Sequence, residues 1–394
     1  MSRGRRLLLA CLPGVLLALT AAPAAAAADC EEGRTQYVPD TPAGLIRLAA
    51  TRAWPLATGS GVTVAVVDSG VASTNAHFPD GVVLEGRSFV GGSASVDRRL
   101  HGTAIAGIIA ARPLAPRSGV QGLARGARIL PVKVVPDDPG QGPDADAGTL
   151  AEGIEWAARQ GASVINVSLS TPRDDPRLEA AVAEARRRGA LVVASAGTRA
   201  EDDPRTGLRY PAAYPGVLGV AATDAEDVVT DTSVRGDHVD LAAPGVEVLT
   251  TFGAWGDCYL SPDGSTSYAT AYVSAAAALV AQRFPDEGPA GWAHRLEATA
   301  ARERRDARGD ALGWGVVQPV EALTSVLDAG LAGPLPPGAT PRPTASVPER
   351  RLEIAAVADP RAADRRQVLW VAVATASLLL ALALVRLARR RGTA

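Results

Sequence analysis

Three side chains in this sequence have the types needed for acyl transfer. Asp68 closes the apolar run VAVVD, His101 opens the stretch HGTAIAGIIA, and three hydroxyls, Ser265, Thr266 and Ser267, precede the alanine-rich run YATAYVSAAAALV. Each has an ordinary structural explanation when taken alone. An acid at a strand end commonly caps a turn, and a serine at a helix start commonly caps the helix. Only four histidines occur, His77, His101, His238 and His294, and a lone histidine is usually a surface group or a satisfied core group. A carboxylate that ends an apolar strand is nonetheless partly desolvated and needs a cationic or hydrogen-bonding partner. Together, acid, imidazole and hydroxyl form a relay. The carboxylate orients the ring, the ring takes the hydroxyl proton, and the oxygen attacks a carbonyl.

The elements that must position these groups can be read from apolar runs. Strands are expected at 61–68, 127–135, 162–170, 190–197 and 216–222, and helices at 101–111, 149–161 and 176–189. The last helix has Pro176 near its start and Gly189 after its end. Continuous Val-rich strands alternating with helices imply an α/β fold with a parallel sheet covered on both faces. In such sheets functional groups gather at the carboxyl ends of the strands. Asp68 is at such an end.

The chain order Asp, His, Ser differs from the orders found in chymotrypsin and the α/β-hydrolases. VAVVDSGV, HGTAIAGIIA and STSYATAYVSAAAALV resemble the three motifs of the subtilisin-like serine proteases, with INVSLS and AAPGVEVLTT similar to further segments of that family. The likeness runs from about Trp54 to Leu323. Setting Ala269, Val273 and Ser274 against the family's serine motif places the nucleophile at Ser267, the first residue of its helix. The resemblance implies a three-layer subtilisin-like sheet with helices on both faces and a serine endopeptidase working through an acyl-enzyme. Asp68, His101 and Ser267 would be catalytic, and Ser168, Leu169 and Ser170 would hold the substrate. No cofactor or metal is implied. The oxyanion hole would use the Ser267 backbone N–H and the residue after ASAG. That residue is Thr198 where most relatives carry Asn, which implies a reduced rate, although some mycosins also lack Asn there. Ser265 replaces a family Gly, and a positive φ there would strain the turn unless Gly264 takes it up.

The ends of the chain extend the resemblance. Residues 1–28 have the basic start, apolar stretch and small-residue close of a signal peptide. Residues 29–50 form an N-terminal extension and 51–332 the catalytic domain. Residues 333–366 are proline-rich, suited to a linker. Residues 367–386 form an apolar transmembrane helix and 387–394 a basic tail expected to stay cytoplasmic. This order is similar to that of the mycosins, membrane-anchored subtilases associated with type VII secretion. The resemblance implies a single-pass protein of the cell membrane with an extracytoplasmic catalytic domain. Its expected partners are protein or peptide substrates, the cytoplasmic membrane and type VII secretion membrane components. A structural subunit with weak or vestigial protease activity is the alternative.

Formal net charge is −2 and no basic patch stands out, so nucleic acid is not an expected partner. Cys11 falls in the signal segment. Cys30 and Cys258 would most simply pair in an oxidising compartment. Asp137, Asp138, Asp144 and Asp146 read as a solvated acidic loop rather than a calcium site.

Overall fold

Valine alternation decides the architecture. In β1 (Thr63–Asp68) every residue is buried, with Val64 and Val66 in one apolar core and Ala65 and Val67 in another. A strand buried on both faces belongs in the middle of a layered sheet. The computed structural model of the chain describes residues 30–138, 146–199, 206–327, 332–339 and 361–391. The expected signal segment, Asp144 and most of the expected linker lie outside these residues. Two compact units are present, residues 1–340 and 341–394.

In the first unit β1 pairs in parallel with β3 (Arg128–Lys133) on one side and β4 (Val164–Val167) on the other. The sheet continues through β5 (Leu191–Ser195), β6 (Val217–Thr223) and β7 (Leu241–Pro244), with the two-residue β2 (Arg87–Ser88) at the far edge. The order is β2-β3-β1-β4-β5-β6-β7, all parallel. One face carries α3 (His101–Ala110) and α6 (Thr266–Arg283). The other carries α4 (Ala147–Arg159) and α5 (Pro176–Arg187). The result is the three-layer subtilisin-like arrangement expected from the motifs. Alanines over most of its length let α6 sit deep beneath β4 to β7.

Two short helices, α1 (Ala43–Arg47) and α2 (Ala50–Ala53), precede β1, and Leu45 and Leu48 are buried in the same core as α6. An antiparallel hairpin, β8 (Val248–Thr251) and β9 (Asp257–Leu260), packs on α3. There Thr250 and Thr251 hydroxyls donate to the Ala104 and Thr103 carbonyls at 2.8 and 2.7 Å. Cys30 and Cys258 are joined, which ties the start of the described chain to β9. Two further helices, α7 (Gly288–Thr299) and α8 (Pro319–Thr324), close the core behind α6.

Most element ends shift by one or two residues from the sequence expectation, and two of the shifts bear on the site. The strand expected over 162–170 ends at Val167, because Ser168 turns its hydrogen bonds to the start of α6 instead of continuing the ladder. Helix α6 begins at Thr266, one residue before Ser267, because Ser265 supplies the cap.

The second unit is α9 (Ala362–Arg391). Its segment Ala363–Arg386 contains an 18-residue window of mean hydropathy 2.6 and is the one described helix long and apolar enough to cross a membrane. The Thr375 and Ser377 hydroxyls donate to the Val371 and Val373 carbonyls, so their polar atoms stay bonded within the helix.

Candidate active site

Asp68 ends β1 with only 1% of its side chain exposed, and its carboxylate lies against the imidazole of His101. His101 Nδ1 lies 2.8 Å from Asp68 Oδ1 and 3.0 Å from Oδ2. A carboxylate only accepts, so Nδ1 carries the hydrogen and the neutral ring keeps its lone pair on Nε2. The approach of α3 to the strand end requires Gly102. A Cβ there would lie 2.1 Å from the Gly70 carbonyl oxygen. Leu100, just before His101, adopts a left-handed φ of 64°, which turns the chain sharply into the helix.

A second carboxylate lies behind the pair, and the sequence reading did not single it out. Asp97 is buried and accepts from Thr103 N at 2.8 Å, Thr103 Oγ1 at 2.7 Å and Arg99 N at 3.1 Å. Ser69 Oγ stands between the acids, 3.1 Å from Asp68 Oδ1 and 2.9 Å from Asp97 Oδ1, and accepts from Gly102 N at 3.0 Å. Burial raises the Asp97 carboxyl above its ordinary range, and the nearby Asp68 charge adds to this against the Thr103 and Ser69 hydrogen bonds. Lys133, fully buried on β3 beside Asp68, donates to the Val96 carbonyl at 2.9 Å and to Asp137 at 2.6 Å, which fixes the segment bearing Asp97. Asp146 N-caps α4. Among the described residues no group of His, Cys, Asp and Glu could hold a metal ion.

Ser267 is the second residue of α6 and half-buried. Its hydroxyl donates to the Ser168 carbonyl at 3.0 Å, and Ser168 Oγ donates to the Ser267 carbonyl at 2.9 Å. Ser168 Oγ also accepts from Asn166 Nδ2 at 2.9 Å, and Asn166 Oδ1 accepts from Ser274 at 2.8 Å, so the end of β4 is braced against α6. The Tyr268 ring lies 5.8 Å from the His101 ring, which brings the imidazole to the start of α6. Burial, with the Asp68 charge adding to it, pushes the Tyr268 phenol up to about 12, so that ring stays neutral. Leu169 leans on the core beneath β4, and Ser170 is half-buried.

The N-terminus of α6 is unusually rich in hydroxyls. Thr266 N donates to Thr198 Oγ1 at 3.1 Å, and Ser267 N donates to Ser265 Oγ at 3.2 Å. Thr198 Oγ1 is also 2.8 Å from Thr266 Oγ1 and 3.4 Å from Ser265 Oγ, and Thr266 Oγ1 is 2.6 Å from Ser195 Oγ. Of the two alternatives for this turn, strain at Ser265 or a turn taken up by Gly264, the second is found. The φ of Ser265 is −145°, ordinary extended backbone, because the left-handed turn falls on Gly264 at φ 85°.

The subtilase family signature matches residues 59–315, which holds all three motifs. Mycosin-1 of Mycobacterium tuberculosis is 35% identical over 402 aligned positions, covering 89% of this chain and 85% of that protein. Subtilisin BL of Lederbergia lenta is 42% identical over 229 positions, 58% of this chain and 79% of that one. The solved structure of MycP1 from Mycobacterium smegmatis is 30% identical with a TM-score of 0.65, covering 78% of this chain and 92% of that chain. With its fold, its ordered motifs and these likenesses in agreement, the chain belongs to the subtilase family and is a homologue of the mycosins.

Proposed function

We propose that this subtilisin-like serine protease is a membrane-anchored, extracytoplasmic endopeptidase that cleaves secreted proteins through an acyl-enzyme and works with type VII secretion. The observation that carries the reading is the His101 ring, held by two contacts to Asp68 and set beside the helix start that bears Ser267. In the proposed step Ser267 Oγ leaves the Ser168 carbonyl and attacks the substrate carbonyl carbon. Its proton passes to His101 Nε2, and the carbonyl electron pair moves onto oxygen. As the carbonyl re-forms and the C–N bond breaks, the imidazolium, steadied by Asp68, protonates the leaving amine. Water, deprotonated by His101, then attacks the acyl carbon and releases the acid from Ser267. The positive end of α6, through the Ser267 N–H, faces the developing charge. Thr198 would serve as a second donor, and Ser168 to Ser170 would line the peptide.

Residues 1–28 would direct export, 29–50 would wrap the domain at 51–332, and 333–366 would tether it. Segment 367–386 would anchor the chain, and the arginines in 387–394 would keep the end cytoplasmic. The association with secretion rests on likeness. One solved relative is described as MycP1, an essential component of the type VII (ESX-1) secretion system.

A second reading, a structural subunit with weak activity, is favoured by Thr198 standing where the family pattern would have Asn. A fluorophosphonate probe applied to the full chain in detergent separates the two. Labelling of wild type and none of Ser267→Ala supports the protease. Equal labelling of both, or of neither, discards it.

A further inference from the structure

The first two N–H groups of α6 are both bonded to protein hydroxyls, and one of them is the N–H that the proposed reaction needs. Ser267 N donates to Ser265 Oγ at 3.2 Å, and Thr266 N donates to Thr198 Oγ1 at 3.1 Å. A helix leaves its first N–H groups without intrahelical partners, and these are what make a helix start receptive to negative charge. Here the receptive group beside the attacking hydroxyl is already satisfied. The satisfying oxygen comes from Ser265, two residues back, whose extended backbone directs its hydroxyl over the helix end as an N-cap.

We propose that Ser265 competes with the substrate oxyanion for the Ser267 N–H and so acts as a brake on the acylation rate. This inference rests on the protease reading above. When the carbonyl oxygen becomes an anion, it must displace Ser265 Oγ from that N–H. The displaced hydroxyl then turns towards Thr198 Oγ1, 3.4 Å away, or towards solvent. The hydrogen bond given up offsets part of the one gained. Losing about one ordinary net hydrogen bond of transition-state stabilisation corresponds to roughly a fivefold slower step. Ground-state peptide binding places little charge on this N–H, so the penalty falls on kcat rather than KM.

Nothing in the backbone fixes serine here. At φ −145° alanine, threonine or glycine fits the same path, and Gly264 already supplies the one positive φ of the turn. Ser265 is therefore a positioning residue that can be changed without remodelling the loop.

The test uses full-length wild type, Ser265→Gly, Ser265→Ala and Ser265→Thr in detergent, with a chromogenic peptide substrate and active sites counted by fluorophosphonate labelling. The Gly and Ala variants should gain about fivefold in kcat with KM within twofold of wild type. Ser265→Thr, which keeps the capping oxygen, should stay near wild type. Hydrogen exchange of the peptide spanning the start of α6 should accelerate in the Gly and Ala variants only. Unchanged exchange, or faster exchange with kcat equal to or below wild type in both variants, overturns the inference. A wild-type chain that the probe labels no better than Ser267→Ala overturns the protease reading instead. Counting sites by labelling keeps partial misfolding from imitating either result.

Discussion

At the scale of single residues, the Asp68–His101 pair is held by side chains packed behind it. Ser69 is the clearest. Its hydroxyl has one proton for two carboxylates, Asp68 and Asp97, and it also accepts from the Gly102 N–H at the start of α3. Ser69→Ala would leave a buried N–H without its partner and remove a donor from both acids. Stability should fall by about 1–3 kcal/mol, read by chemical denaturation. kcat should fall with it as the His101 contact loosens. Thr198 offers the converse test. An asparagine donor at an oxyanion hole contributes roughly 10²–10³ in kcat, a magnitude measured in a subtilisin. Thr198→Asn should therefore raise kcat by more than tenfold on a peptide substrate, and an unchanged rate would show that Thr198 is not the limiting donor.

Elements act on the site through their ends. Helix α3 is fixed by the β8–β9 hairpin, and the hairpin in turn receives the segment before α1. Gln36 and Gly256 form a bridge, Val38 N donates to Asp257 Oδ1 at 2.6 Å, and Cys30 is joined to Cys258. Beneath this contact His77 and Asp257 meet at 2.9 Å with neither side chain exposed, and His77 Nδ1 donates to the Arg112 carbonyl at 2.8 Å. Removing one member of a buried pair strands the other. Asp257→Ala should cost about 3–5 kcal/mol and make the segment around Tyr37 and Val38 sensitive to limited proteolysis. Wild-type protease resistance there would count against a clasp. The same contacts reach His101 through α3 and through the hairpin turn, where Gly253 lies beside Leu100, so activity should fall with the loss of folded protein.

For the whole molecule, pH also acts through buried acids outside the relay. Burial pushes the Glu297 carboxyl on α7 from its ordinary 4.5 up to about 8, with Asp240 adding to this against Arg308 and Arg302. Burial likewise raises Asp240 to about 6, opposed by a bond from Gly219 and by Arg308. A carboxyl raised by folding adds most stability while protonated. The Glu297 contribution is thus full below about 4.5 and lost as pH rises through about 8. Melting temperature should fall across that interval, and Glu297→Gln should flatten the slope. A variant as pH-sensitive as wild type would reject Glu297 as the source.

Apolar patterning alone determined the parallel α/β layering, since β1, β3 to β6 and α3 to α5 each have a run whose burial follows its own sequence. The ordered motifs carried the family, and the apolar stretch of α9 carried the candidate membrane span. The resemblance singled out Ser267, but only tertiary structure showed that Ser265 caps the helix while the Ser267 hydroxyl turns to the Ser168 carbonyl. Ser265, Thr266 and Ser267 have similar chemistry, and their roles differ by where a single left-handed glycine turns the chain. The Asp97–Ser69–Asp68 bridge and the His77–Asp257 pair were equally hidden. Their members lie 28 and 180 residues apart in the two long-range contacts, and no local propensity records that distance. The physical reason is common to all three. Hydrogen bonds depend on direction and distance in space, whereas a sequence records only type and order.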